Sequence, residues 1–455
     1  MKTYFNTPND QAFSKMETKF SHALCRSHII CRMIQTDTHK LVAAAEKDLA
    51  HCFAEIDEIA LQNQQKVLTA FRNHRVTSEY FAEKTGYGMD DSGRDAIDEI
   101  FAEVYGAESA AVRVQMVSGT HALASALFGN LRHGDRLAIL TGKPYDTMEK
   151  VIGLAGNEPG SLKDLGVDYI QTDIIPLLAD DRACWKALEE VLSGSTRIAY
   201  IQKSCGYSIE RPTLLNSEIA QIIKLIRQIN PSLLVMVDNC YGELVEDTEP
   251  LAMGADIIAG SLIKNPGGGL AIAGGYFAGK KSALDAALNR LTAPGIGGHL
   301  GCSFNQNRLL LQGMFLAPSS VASAVKGAHL FAYVFKELGF EVNPQPGQKR
   351  GDIIQAIKFG NREKLVNFLN ALQQFSPVDA HVKPEPADMP GYTDKVVMAG
   401  GTFVEGSTIE LSGDGPLRPP FVAFVQGGLT YSHVKLAIQG VLEIGSRGDC
   451  KFLPG

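Results

Sequence analysis

Two neighbouring stretches decide the fold: LLVMVDNCYG at residues 233–242 and IIAGSLIKNPGGG at residues 257–269. The first is an apolar, β-branched run, Leu233–Val237, that ends on a carboxylate, Asp238. The second is an apolar run, Ile257–Ala259, that passes through Gly260 and Ser261 to Lys264, with three glycines behind it. Short apolar runs that end on polar residues and turn signals read as buried strands whose ends present chemistry. Working outward, Ser217–Ile229 has helical spacing, and Arg197–Gln202 and Arg136–Leu140 are further apolar strands. Ala110–Val117 is β-rich, Ser118-Gly119-Thr120 turns, and His121–Leu131 is helical. Strands alternating with helices predict a mostly parallel sheet covered on both faces.

After about Ser323 the character shifts. A helix near Val325–Leu338 leads to strands at Phe340–Asn343 and Ile353–Phe359 and a helix at Arg362–Phe375. A Pro-rich loop at Lys383–Pro390, strands at Val396–Ala399 and Phe421–Gln426, and a helix from Tyr431 to Ile444 follow. This predicts a large domain over residues 94–322 and a smaller C-terminal α/β domain over 323–455. Residues 41–93 form a helical N-terminal segment. Residues 1–40 carry six cations against three acids and no apolar signal core, and read as a loosely ordered extension. There is no internal repeat.

Composition sets the outer limits. The 455 residues, 45% hydrophobic and 20% charged, suit an ordinary globular chain with a large core. A net charge of −7 excludes a broadly basic nucleic-acid surface. No run of eighteen apolar residues is present, so no membrane span is expected. The eight cysteines are scattered without a C-x-x-C pair, which favours free thiols in a reducing cytoplasm and no metal site.

Four features carry chemistry. Ser118-Gly119-Thr120, between strand and helix, offers backbone N–H groups and hydroxyls to a phosphate; it serves equally as a plain helix cap. Tyr145 follows the strand Arg136–Leu140, where ligands of open α/β sheets bind; an interface tyrosine is the blander reading. Asp238 should be buried enough to need a partner such as a protonated ring nitrogen, or else it caps a turn. Lys264 in its glycine-flanked loop is expected to be desolvated with a lowered pKa, fit to form a Schiff base, with the glycines giving room to a flat ligand. Asp238 and Lys264 are 26 residues apart, as are Gly119 and Tyr145. His121 reads as a helix-start residue. Gln202, Lys203 and Tyr207 follow another strand end and are either ligand contacts or a polar loop.

These residues, with TGYGMDDSGRD (85–95), TGKPYDT (141–147), APGIGGHLG (293–301) and GPLRPPFVAFVQGG (415–428), resemble the fold-type I pyridoxal-phosphate enzymes. Within them the chain is most similar to the methionine gamma-lyase and cystathionine lyase family, in its "aluminium resistance protein" branch. The resemblance spans roughly residues 60–445. It implies the aspartate aminotransferase-like fold, pyridoxal 5'-phosphate as cofactor, and carbon–sulfur bond elimination from a sulfur-containing amino acid. It implies Lys264 as the Schiff-base lysine, Asp238 on the pyridinium nitrogen and Tyr145 on the ring, and Ser118, Gly119, Thr120 and Ser261 on the phosphate. Tyr87, in Gly86-Tyr87-Gly88, stands where family members send a residue across to the neighbouring subunit's phosphate, which implies a homodimer or homotetramer. The arginine that accompanies that tyrosine in relatives is absent here. Arg418 is the candidate for the substrate carboxylate. Aldol cleavage, transamination, or non-catalytic cofactor binding in a stress response remain the alternatives.

Overall fold

A computed structural model describes residues 37–157, 159–446 and 451–453. Of the expected N-terminal extension, residues 37–40 are helical and open a helix running to residue 48; the remainder lies outside the described residues. Val42 and Ala45 of that helix are fully buried in the C-terminal core, and Glu46 accepts hydrogen bonds from Tyr431 and Lys435.

The larger sheet contains β1 (Ser109–Arg113), β2 (Arg136–Ile139), β3 (Asp168–Gln171), β4 (Thr196–Gln202), β5 (Leu234–Asp238), β6 (Ile257–Ser261) and β7 (Gly275–Gly279). Their order is β1-β7-β6-β5-β4-β2-β3, and β7 alone runs against the rest. Alternate residues serve opposite cores, as the pleat requires. Val235 and Val237 of β5 join one core with Ile219, Ile222 and Ile226, whereas Met236 joins the other with Leu123 and Leu127. A sheet buried on both faces explains why β4 and β5 read as continuous apolar runs. Because β4, β5 and β6 are parallel and in register, Gln202, Asp238 and Ala259 lie side by side at one edge. That edge is where the polar residues collect.

The smaller sheet contains β8 (Glu341–Asn343), β9 (Gln355–Lys358), β10 (Val396–Ala399), β11 (Ser412–Pro416) and β12 (Val422–Gln426), in the antiparallel order β10-β11-β12-β9-β8. The helices Arg362–Gln373 and Tyr431–Gly445 cover it with Leu365, Phe368, Leu369, Val434 and Ile438.

The helix expected near Val325 begins at Asn307 and runs unbroken to Glu337, across the point where the sequence changes character. Leu310, Met314 and Val321 pack into the large-sheet core; Leu330, Phe331 and Phe335 pack into the small-sheet core. An 18-residue window of this helix reaches a mean hydropathy of 1.2, long and apolar enough for a span by composition, contrary to the sequence expectation. Most of that window is buried inside the protein, so its apolarity is accounted for by packing.

Candidate active site

The cavity lies where the C-terminal ends of the parallel strands meet the smaller sheet, and it has a volume of about 490 Å3. Ser118, Gly119, Thr120, Tyr145, Ser261 and Lys264 all line it. Asp238 is buried beneath it, and Tyr87 and Arg418 lie outside it.

One wall is the start of the helix Gly119–Asn130. Ser118 caps it, accepting the His121 N–H at 3.2 Å. The Thr120 hydroxyl meets that of Thr147 at 2.9 Å. A Cβ at Gly119 would stand 3.2 Å from Ser261 Cβ and 3.3 Å from Cys240 Sγ, so glycine brings the helix start close against β6 and the turn after β5. His121 Nδ1 accepts the Val117 N–H at 3.2 Å, and burial lowers its pKa, so it is a neutral helix-start residue.

Asp238 is 6% exposed at the end of β5. Its carboxylate accepts the Cys240 N–H at 3.1 Å and the Tyr200 hydroxyl at 3.2 Å. Burial raises its pKa against the pull of Lys264. Lys264 is half-buried, with Nζ 4.0 Å from the centre of the Tyr241 ring. Its pKa corrects an expectation. Burial does pull the ammonium down, but the combined effect of Cys240, Tyr241, Asp238 and Glu243 outweighs it, and the net shift is upward. The three glycines after Lys264 correct another, because none of them lines the cavity. A Cβ on Gly268 would fall 2.3 Å from the Gly313 carbonyl oxygen, and one on Gly269 would fall 2.4 Å from Leu429. Gly267 and Gly268 let the lysine loop dock on the long helix at Gly313, and Gly269 lets it pass close against Leu429.

The third wall is aromatic. Tyr145 shares a hydroxyl–hydroxyl hydrogen bond with Tyr392, and its ring stands edge-on to Tyr207 at 5.5 Å. Its backbone N–H donates to Gln202 Oε1 at 3.0 Å. Gln202 is therefore a positioning residue for Tyr145. Lys203 is fully buried elsewhere, paired with Glu246 at 3.0 Å and donating to Asn216 at 2.9 Å. Tyr392, Tyr241, Ser407 and Asp414 line the cavity without having been anticipated from sequence.

Arg418 pairs with Asp394 at 2.9 Å and Asp146 at 3.5 Å, on the far side of Tyr145. Tyr87 is 72% exposed. Its loop is pinned from beneath: the Gly301 N–H donates to the Tyr87 carbonyl at 2.8 Å, and the buried Arg94 donates to the Gly88 carbonyl at 2.8 Å. The backbone is held while the ring projects outward.

The sequence profile of the methionine gamma-lyase family matches residues 38–444, and the chain belongs to that family. It is 49% identical over 417 residues to the uncharacterized protein YnbB of Bacillus subtilis (strain 168), covering 90% of this chain and 98% of that one. A solved structure from Clostridium acetobutylicum, named a "putative cystathionine beta-lyase involved in aluminum resistance", is 44% identical, with a TM-score of 0.86 over 92% of this chain and 98% of its own. The pyridoxal-5'-phosphate-dependent protein YhfS of Escherichia coli, 14% identical, shares the fold with a TM-score of 0.57 over 85% of this chain and 96% of its own. The architecture is that of the fold-type I pyridoxal-phosphate enzymes.

Proposed function

We propose that the protein is a pyridoxal-phosphate-dependent carbon–sulfur lyase acting on a sulfur-containing amino acid. What supports this most is convergence: an amine, hydroxyls at a helix start and a tyrosine surround one cavity above a buried strand-end carboxylate. These residues fit the cofactor. Ser118, Thr120 and Ser261 stand with the unpaired N–H groups of a helix start, a donor set suited to a phosphate. The strand-end carboxylate of Asp238 suits a cationic ring nitrogen. Among the described residues lining the cavity, Lys264 is the sole amine and the natural attachment point.

Bound there, pyridoxal phosphate supplies an electron sink for charge developing at the Cα of an amino acid. The chain's own residues do the rest. Lys264 would hold the cofactor, and its Nζ, when free as the neutral amine, would take the Cα proton and return it. Burial raises the Tyr145 phenol well above its ordinary pKa, so it stays protonated at neutral pH and can serve the departing sulfur as a proton donor. Tyr392 hydrogen-bonds that phenol, and Gln202 holds the backbone N–H of the same residue. The balance is an amino acid plus water giving a 2-oxo acid, ammonia and a thiol. The active unit is proposed to be a homodimer or a dimer of dimers, with Tyr87 reaching the neighbour's phosphate.

The test is incubation of the cofactor-loaded protein with methionine, cystathionine, cysteine and threonine, with assays for 2-oxo acid, thiol and aldehyde. The proposal predicts 2-oxo acid and thiol in equal amounts from a sulfur amino acid. Aldehyde from threonine alone would indicate aldol cleavage instead. Bound cofactor without turnover of any of them would indicate a binding protein.

A further inference from the structure

Tyr392 shares a hydrogen bond with Tyr145 at the cavity, yet its own segment does little to keep it there. It lies in a loop, residues 388–395, whose base is closed by two backbone hydrogen bonds of 3.0 Å between Ala387 and Val396. The Tyr392 N–H donates to the Met389 carbonyl at 3.1 Å, a bond that stays within the loop. Asp388, Pro390 and Thr393 are exposed, so much of the loop faces solvent instead of a core. Met389, Pro390, Gly391 and Tyr392 nevertheless line the cavity. A segment with so few buried contacts of its own is placed by ties from outside it.

Arg418 is such a tie. It stands in the turn between β11 and β12, where Pro416, Pro419 and Pro420 restrict the backbone. Its N–H donates to the Pro416 carbonyl at 2.9 Å, and its carbonyl accepts the Phe421 N–H at 2.9 Å. From this base the guanidinium donates to Asp394 Oδ2 at 2.9 Å and reaches both oxygens of Asp146 at 3.5 Å. Asp394 shares the loop of Tyr392, and Asp146 directly follows Tyr145 at the start of the helix Asp146–Ile152. The planar fork thus joins the loop that carries one phenol to the helix start beside the other. Gly391 lets the two lie close, since a Cβ there would fall 2.8 Å from Thr147 Cγ2. We propose that Arg418, outside the cavity, is a positioning residue that clips Tyr392 onto Tyr145 by bridging Asp394 and Asp146. It acts on the reaction through the Tyr392 hydroxyl, which meets the phenol assigned as proton donor. That last step rests on the lyase reading above.

Hydrogen exchange of the amides of residues 388–395 in the cofactor-loaded protein reads the clip directly. Arg418 and Asp394 are 34% and 37% exposed, so solvent screens the pair in part. Asp394→Asn should therefore speed that exchange about twofold to fivefold. Asp394→Glu, which keeps the carboxylate, should restore most of the protection. Arg418→Lys should not, because one ammonium cannot serve both carboxylates as the fork does. In about 1 M salt the unmutated protein should exchange nearly as fast as Asp394→Asn, whose own rate should change little. The second arm is a mutant cycle on kcat. Tyr392→Phe should lower kcat about threefold to tenfold, the range of one hydrogen bond between neutral groups. Asp394→Asn should lower it by no more than that, and should lower it no further when added to Tyr392→Phe. Unchanged exchange in Asp394→Asn, an equal effect of salt on both proteins, or kcat losses that multiply in the double variant would overturn the proposal. Absence of turnover by the unmutated protein would instead remove the lyase reading, and the exchange arm would still decide the clip.

Discussion

Glu243 gives a stability prediction whose size follows from its surroundings. It is fully buried, with Oε1 accepting the Tyr276 hydroxyl at 2.8 Å and Oε2 without a partner. Burial pushes its pKa from 4.5 up to about 8. The native protein then keeps a proton at neutral pH that the unfolded chain releases. The linked stabilisation is complete below the unfolded pKa of 4.5 and is lost as pH rises through about 8. Its full extent is about 5 kcal/mol, and the part lost between about pH 6 and about pH 9 is about 2–3 kcal/mol. Glu243→Gln keeps the acceptor for Tyr276 and cannot ionise. Relative to the unmutated protein, the variant should therefore gain about 2–3 kcal/mol of stability between those two pH values. Urea unfolding of both proteins at each pH measures this, and taking the difference removes the other titrating groups. A stability difference between the two proteins that stays constant across the interval would refute the reasoning.

Other predictions concern packing and cofactor retention. A Cβ at Gly260 would lie 2.5 Å from Glu243 Oε1 and 2.8 Å from the Tyr276 ring, so Gly260→Ala should cost about 1–3 kcal/mol by overpacking, read from the same unfolding curves. Asp238→Asn should weaken cofactor retention by about 3–5 kcal/mol, measured by dialysis and rebinding; near-normal retention would remove Asp238 from the ring nitrogen. Tyr87→Ala and Lys264→Ala subunits, each inactive alone, should regain activity when mixed, because both lesions can fall on one shared site. A lack of recovery after verified subunit exchange would refute the crossing of Tyr87.

The features legible in the sequence were those with local signals. β4, β5 and β6 announced themselves as apolar runs because the large sheet is covered on both faces, and the residues at their ends mark the floor of the site. β11 was invisible because it reads Ser-Gly-Asp-Gly-Pro. The structure explains that composition: a Cβ at Gly413 would come within 2.8 Å of Leu372, and one at Gly415 within 2.6 Å of Leu369, on the overlying helix. The strand is glycine where the helix presses on it and acidic where it faces the cavity, so it looks like a turn. Tyr392 was missed for a different reason. It follows the Pro-rich loop, and its approach to Tyr145 depends on a contact across 247 residues that no periodicity encodes. The Gly267-Gly268-Gly269 run was noticed but misread, since close helix packing and ligand space leave the same mark on a sequence.

The account's central claim is that Lys264 carries the cofactor. The most direct measurement is borohydride reduction of the purified, cofactor-loaded protein, followed by peptide mass mapping. The account predicts an absorbance band near ~420 nm that disappears on reduction, as a Schiff base would, with the added pyridoxyl phosphate mass on the peptide containing Lys264. The band should be absent from Lys264→Ala. A reducible band that persists in that variant, or the added mass on Lys143 or Lys203, would contradict it.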